Sequence, residues 1–242
     1  MSETDTRDSI ARIMKRIYRA GMTTTSGGNV SVRDPDGTIW ITPAGRDKAT
    51  LCGEDIPGLR PDGSIKGACA PSSELPFHQA IYAARPDLHA VIHAHPAALV
   101  AFSIVRERPD LGVLPEASSF CGRIGYAPYA IPGGEELGER IAAEFRAGSD
   151  AVIMENHAMV VGGKSLEAAV LRFETLEHAA QVLVRARTLD RTMASSKSES
   201  RTKTESVTTL PESAFGTDKH PGHECREELA ALARRSAAQG LM

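Results

Sequence analysis

The chain has 242 residues, 41% of them hydrophobic and 24% charged, the balance of a soluble globular domain long enough to bury its own core without disulfides or a structural metal. With 28 Lys and Arg against 31 Asp and Glu, the net charge of −3 argues against a nucleic-acid or anionic-membrane footprint. The longest apolar run near the middle, Ala97 to Val105, falls far short of the roughly 20 residues that span a bilayer, and the polar, acidic start Met1-Ser-Glu-Thr-Asp does not read as a secretory signal. The expectation is a cytoplasmic protein, with no membrane and no nucleic acid among its partners. Cys52, Cys69, Cys121 and Cys225 show no metal-ligand spacing and read as free thiols of a reducing compartment.

In chain order, Ile10, Ile13, Met14, Ile17 and Tyr18 mark one face of a helix over Asp8 to Ala20, stopped by Gly21. A glycine-rich loop, Thr23 to Asn29, follows. Val30 to Arg33 and Thr38 to Ile41, joined by Asp34-Pro-Asp-Gly37, predict a hairpin. Ser72 and Ser73 cap a helix running to Ala84, with Glu74 where the helix dipole favours a carboxylate. Ala90 to His95 predicts a strand, and Pro96 opens a helix to Val105. A helix from Glu135 to Arg146, strands Ala151–Met154 and Ala158–Val161, and an amphipathic helix to Ala186 complete the pattern. Without strict βαβ alternation, the elements point to an α+β or layered αβα domain.

Near Thr192 the composition changes. Of the 18 residues from Thr192 to Thr209, 10 are Ser or Thr, too little apolar surface to offset the entropy of ordering. The expected organisation is a folded domain over 1–190, a flexible linker over 191–222 and a C-terminal helix or tail over 223–242. His220 and His223 fall in linker and tail.

Three constellations could carry chemistry. His93 and His95, at i and i+2 on a strand, point to one face and can reach one ion. His157 follows a second strand, and three neutral imidazoles leave a position open for substrate, as in a catalytic zinc site. Taken singly, a His-x-His pair is an ordinary half-buried strand feature. Ser26-Gly-Gly-Asn29, Ala44-Gly45 and Ser72-Ser73 are three stretches of small hydrogen-bonding groups suited to a phosphate or carboxylate, though each alone is a turn or a cap. Glu74 could serve as a general base if it faces the metal. Gly163-Lys164-Ser165 lacks the upstream glycine of a P-loop and is set aside.

The blocks Gly28-Asn-Val-Ser-Val-Arg33, Ile41-Thr-Pro-Ala-Gly45, Pro71-Ser-Ser-Glu74, His93-Ala-His95 and Asn156-His157, in this order, resemble the class II aldolase/adducin family, with the L-fuculose-phosphate aldolase branch the best comparator. The resemblance spans Ser9 to Ala186. It implies an α/β fold, a three-layer αβα domain with a central, largely antiparallel sheet, commonly a homotetramer with active sites at subunit interfaces. It implies a divalent-metal-dependent lyase acting on a phosphorylated ketose or deoxyketose by retro-aldol cleavage through a metal-stabilised enediolate. His93, His95 and His157 would hold Zn2+, or Mn2+ or Co2+; Glu74 would move the proton. Ser26, Asn29, Ala44, Gly45, Ser72 and Ser73 would line the phosphate pocket.

The chain departs from that branch in one respect. No tyrosine lies between Tyr82 and Tyr126, and none follows Tyr129, where the branch uses tyrosines as further acid/base groups. Glu116, in the segment after the metal pair, is the candidate second catalytic group. Dehydration, decarboxylation or epimerisation of a related sugar phosphate, or an adducin-like scaffold without catalysis, are the alternatives.

Overall fold

The computed structural model describes residues 2–201, with side chains described through Asp190. The chain divides into two units, 1–193 and 194–242, and the account below concerns the first.

Eight strands form one sheet: Asn29–Arg33 (β1), Ile39–Ile41 (β2), Gly58–Leu59 (β3), Ile65–Lys66 (β4), Ala90–Ala94 (β5), Ile124–Ala127 (β6), Ala151–Met154 (β7) and Ala158–Gly163 (β8). Their order is β4-β3-β2-β1-β5-β8-β7-β6. Every pairing is antiparallel except β6 with β7. Six helices pack on the two faces: Glu3–Arg19 (α1), Leu75–Ala84 (α2), Ala97–Ile104 (α3), Pro115–Phe120 (α4), Glu135–Arg146 (α5) and Leu166–Arg201 (α6).

Alternation along the strands builds two cores. On one face Val30, Val32, Ile92, Ile153, Met159 and Val161 meet Ile10, Met14 and Ile17 of α1, Leu99 and Phe102 of α3, and Phe173 and Leu176 of α6. On the other, Ile41, Val91, Val152, Met154 and Val160 meet Phe77 and Ile81 of α2 and Leu137, Ile141 and Phe145 of α5. The expected three-layer αβα architecture with a largely antiparallel sheet is the architecture observed.

Several boundaries differ for identifiable reasons. The first helix starts at Glu3, not Asp8, because Ser2 and Asp5 form a reciprocal capping box that lies upstream of the first apolar residue. Pro96 caps α3 without a side-chain acceptor. Buried Glu177 of α6 supplies the acceptor instead, taking hydrogen bonds from the Ala98 and Leu99 amides at 3.1 Å, so a distant carboxylate satisfies the helix start. Strands β3 and β4, two residues each, and the six-residue helix α4 are too short to announce themselves by periodicity, and β6, Ile-Gly-Tyr-Ala, is interrupted by a glycine.

The last helix runs to Arg201, past the expected end at Ala186 and into the segment expected as linker. No Gly or Pro interrupts 166–201, so no backbone breaker ends it. The rest of the expected linker, 202–222, and the tail over 223–242, with His220, His223 and Cys225, lie outside the described residues. Cys52, Cys69 and Cys121 are free, as expected. Among the described residues no helix is long and apolar enough to cross a membrane.

Candidate active site

The sheet register assembles the site. Pairing of β1 with β5 sets Asn29 opposite His93, and pairing of β5 with β8 sets Ala94 opposite Met159. The β7–β8 hairpin therefore turns beside the end of β5, and its turn, Glu155-Asn156-His157, carries the third histidine. Asn156 adopts a left-handed backbone with φ of 56°, a conformation that asparagine tolerates better than most residues. The His157 amide closes the turn on the Met154 carbonyl at 3.1 Å.

The three imidazoles converge. Their ring centroids lie 5.0, 5.2 and 5.3 Å apart, and one nitrogen from each falls within 4.8 Å of the others. His93 is fully buried. Its Nδ1–H donates to the Met159 carbonyl at 3.1 Å, which turns Nε2 toward the site. That nitrogen makes no hydrogen bond, although Glu74 Oε2 lies 3.1 Å away; His157 Nδ1 is buried and unpartnered as well. His95 Nε2 and His157 Nε2 face each other at 3.4 Å. Burial pushes the His95 pKa down to about 4 and lowers that of His157, with the neighbouring histidines adding to both shifts. Three imidazoles crowded together, with two of their nitrogens buried and unpartnered, fit a divalent cation.

Glu74 sits at the start of α2. Burial alone pushes its pKa up. Positive charge on the histidine side, chiefly at His93 Nε2, together with the hydrogen bond from the Asn29 amide, outweighs burial and holds it well below the usual carboxylate range; a cation on the histidines would supply the same charge. Asn29 Nδ2 donates to Glu74 Oε2 at 2.6 Å and to Ser72 Oγ at 3.1 Å. His157 Nε2 lies 4.0 Å from Glu74 Oε1. The carboxylate thus borders the histidine cluster without being buried beneath it.

The three small-residue stretches meet around one cavity of about 230 Å³, lined by Ser26, Asn29, Ala44, Gly45, Ser72, Ser73, Glu74, His95 and His157 among others. Backbone hydrogen bonds tie them together: Ala44 to Ala70, Ser72 to Thr42, and Lys48 to Thr25. The glycines permit close approach. A Cβ on Gly28 would lie 2.7 Å from the His93 carbonyl oxygen, and one on Gly27 would lie 2.7 Å from His95 Nδ1, so side chains there would push the loop off the histidine strand.

Glu116 does not join this cavity. It lies in the first turn of α4 and lines a separate one with Leu114, Thr175 and His178. Within one chain the structure separates it from Glu74 and the histidines, because the segment after α3 folds against α6.

Two residues without an assigned role belong here. Lys48 is 2% exposed, lines the cavity and donates to the Pro43 carbonyl at 3.2 Å. Burial lowers its pKa, and the Glu74 charge opposes that shift. A lone lysine in a loop carried no signal. His78 is fully buried behind Asn29. Its signal was present: Glu74, His78 and Tyr82 recur every four residues along one helix face.

Residues 8–184 match the family model described as Class II Aldolase and Adducin N-terminal domain. The chain is 35% identical over 172 residues to an L-fuculose phosphate aldolase of Methanocaldococcus jannaschii, covering 71% of this chain and 91% of that one. It is 30% identical over 185 residues to a 3-oxo-tetronate 4-phosphate decarboxylase of Escherichia coli, covering 75% and 87%. A solved L-fuculose 1-phosphate aldolase superposes with a TM-score of 0.71 at 26% identity, over 88% of this chain and 93% of that one. Fold, site and relatives together define an enzyme, a divalent-metal lyase of the aldolase type. The chain belongs to the class II aldolase and adducin family.

Proposed function

We propose that this enzyme cleaves a carbon–carbon bond in a phosphorylated ketose or deoxyketose, with Zn2+ as its ion and a homotetramer in the cytoplasm as its working form. The observation that carries the reading is the convergence of three imidazoles, one ionised carboxylate and an anion-suited loop cluster on one cavity.

His93, His95 and His157 would hold the ion. When bound, it supplies Lewis-acid stabilisation of the negative charge that retro-aldol cleavage leaves on the substrate oxygens. Other divalent ions such as Mn2+ or Co2+ suit the same donors. Glu74, kept ionised beside the histidines, carries the proton at the reacting carbon. Ser26, Asn29, Ala44, Gly45, Ser72 and Ser73 line the phosphate pocket, and Lys48 adds the formal charge that loop dipoles lack. Anchoring the phosphate places binding energy away from the bond that breaks. Glu116 enters only across a subunit boundary, since in its own chain it lines a separate cavity.

Metal analysis of the purified protein should find close to one divalent ion per chain. The His93→Ala variant should lose it and the cleavage activity together. Mass spectrometry of products from a panel of phosphorylated ketoses should show two carbon fragments. A metal-free active wild type would sink the reading. Decarboxylation is the second reading, favoured by the 30% identity to the tetronate-phosphate decarboxylase; its product would be carbon dioxide with one organic fragment.

A further inference from the structure

Behind Glu74 and Asn29 runs a chain of buried side chains, His78, Ser31 and Tyr82, with no part in the roles above. Asn29 directs both contacts of its Nδ2 to acceptors, Glu74 and Ser72. Its Oδ1 therefore faces His78 Nε2, in close contact, and must accept. His78 Nε2 then carries the proton. In a neutral ring Nδ1 is bare and accepts from the Ser31 hydroxyl at 2.7 Å. Ser31 has one proton and has spent it, so its oxygen accepts from the Tyr82 hydroxyl at 2.8 Å. The backbone alternative for Tyr82, the His89 carbonyl, lies farther off at 3.5 Å.

Each link is forced by the one before it. His78, Ser31 and Tyr82 are all buried, each 2% exposed or less, so water does not compete for these groups. Burial pushes the His78 pKa down to about 3, in keeping with the neutral ring that the geometry requires. The secondary structure explains the alignment. Asn29 and Ser31 point to one face of β1, His78 and Tyr82 lie four apart on α2, and the two rows interleave.

A free asparagine amide can present either end to its neighbour. With Oδ1 turned toward it, the Glu74 carboxylate would face a second acceptor, lose its 2.6 Å donor and swing. We propose that His78 is a positioning residue of this enzyme: through its Nε2–H it locks the Asn29 amide with the donor end on Glu74, and Ser31 and Tyr82 in turn lock the His78 tautomer. The proposal rests on the reading of Glu74 as the proton-carrying group.

Two isosteric substitutions separate the roles of the ring nitrogens. In the metal-loaded, full-length protein, His78→Gln places an amide donor near Nε2, and His78→Asn places an acceptor near Nδ1 but leaves Asn29 Oδ1 without a donor. Measured on whichever phosphorylated ketose the wild type cleaves, His78→Gln should keep kcat within about threefold. His78→Asn should lose about 10- to 100-fold in kcat, the range typical of supporting hydrogen bonds around an active site, with KM nearly unchanged. Co2+ affinity should be the same in both, since neither change touches a ligand. Equal losses in the two variants, or losses that follow thermal stability, would overturn the proposal.

A readout without turnover keeps it separate from the reaction assignment. In 15N-histidine-labelled wild type, long-range proton–nitrogen spectra should show His78 as the Nε2–H tautomer. A proton on Nδ1 overturns the relay even if the enzyme cleaves sugars, or if His78→Asn does not fold. The Nε2–H tautomer with no ketose cleaved leaves the relay standing and removes the reaction reading.

Discussion

The two faces of the sheet are built on different terms. Under α1, α3 and α6 the central strands present hydrocarbon: Val30, Val32, Ile92, Ile153 and Val161. Polar groups buried on that side close backbone ends, as Glu177 does for α3. Under α2, the same β1 and β5 present Asn29, Ser31 and His93, all buried, and α2 answers with His78 and Tyr82. An apolar layer needs only volume and shape. A polar layer needs every partner in place, because an unpaired buried group costs about 1–3 kcal/mol. The polar layer is therefore specific where the apolar one is forgiving, and its unpaired nitrogen, His93 Nε2, faces the three-histidine cluster proposed to hold the ion.

Substitutions on each face sharpen this contrast. Phe173→Ala, in the apolar layer, should produce the largest loss of stability, about 3–5 kcal/mol in denaturant unfolding, while metal content of the folded protein stays that of the wild type. Metal lost in step with stability would mean the faces are not independent. Ser31→Ala, in the polar layer, removes little volume but strips His78 of its donor and Tyr82 of its acceptor. It should cost about 1–3 kcal/mol and, unlike Phe173→Ala, lower turnover of the folded enzyme. A Ser31→Ala enzyme with full activity would break the comparison.

The polar face also carries a pH dependence, of which His78 supplies one part. His78 and His95 are held neutral in the fold, at about 3 and about 4, against an ordinary 6.5. Below 6.5 the unfolded chain takes up protons that the native state refuses. Their contribution to stability is thus complete above pH 6.5 and shrinks as pH falls toward the folded values. The denaturation midpoint of metal-free protein should decline from pH 7 to pH 4.5, and His78→Gln should remove part of that slope. An unchanged slope in that variant would contradict the assignment of His78 as a neutral buried ring.

Much of the site was legible because strand periodicity does not depend on context. His-x-His on a strand puts two imidazoles on one side whatever surrounds them, and the hairpin turn marked His157. The small-residue loops were visible as composition, while their convergence on one cavity was not. Lys48 gave no sign, since a lysine declares burial only through its neighbours. Glu116 was placed by distance along the chain from the histidines, and chain distance does not set direction: its helix faces α6. The long last helix was hidden by a serine-rich composition that discourages packing but contains no backbone breaker over 166–201.

By itself, then, the sequence determined the local alternations: which strands are apolar on both sides, which of the longer segments are helices, and which histidines share a face. These follow from backbone geometry within a few residues. Tertiary structure alone decided the register that sets Asn29 against His93, the meeting of the α2 and β1 faces that gives His78 its partners, and the exclusion of Glu116 from the cavity of its own chain. Those outcomes depend on contacts between residues far apart in the chain, where one residue of slip in a strand would turn Asn29 and Ser31 to the opposite face.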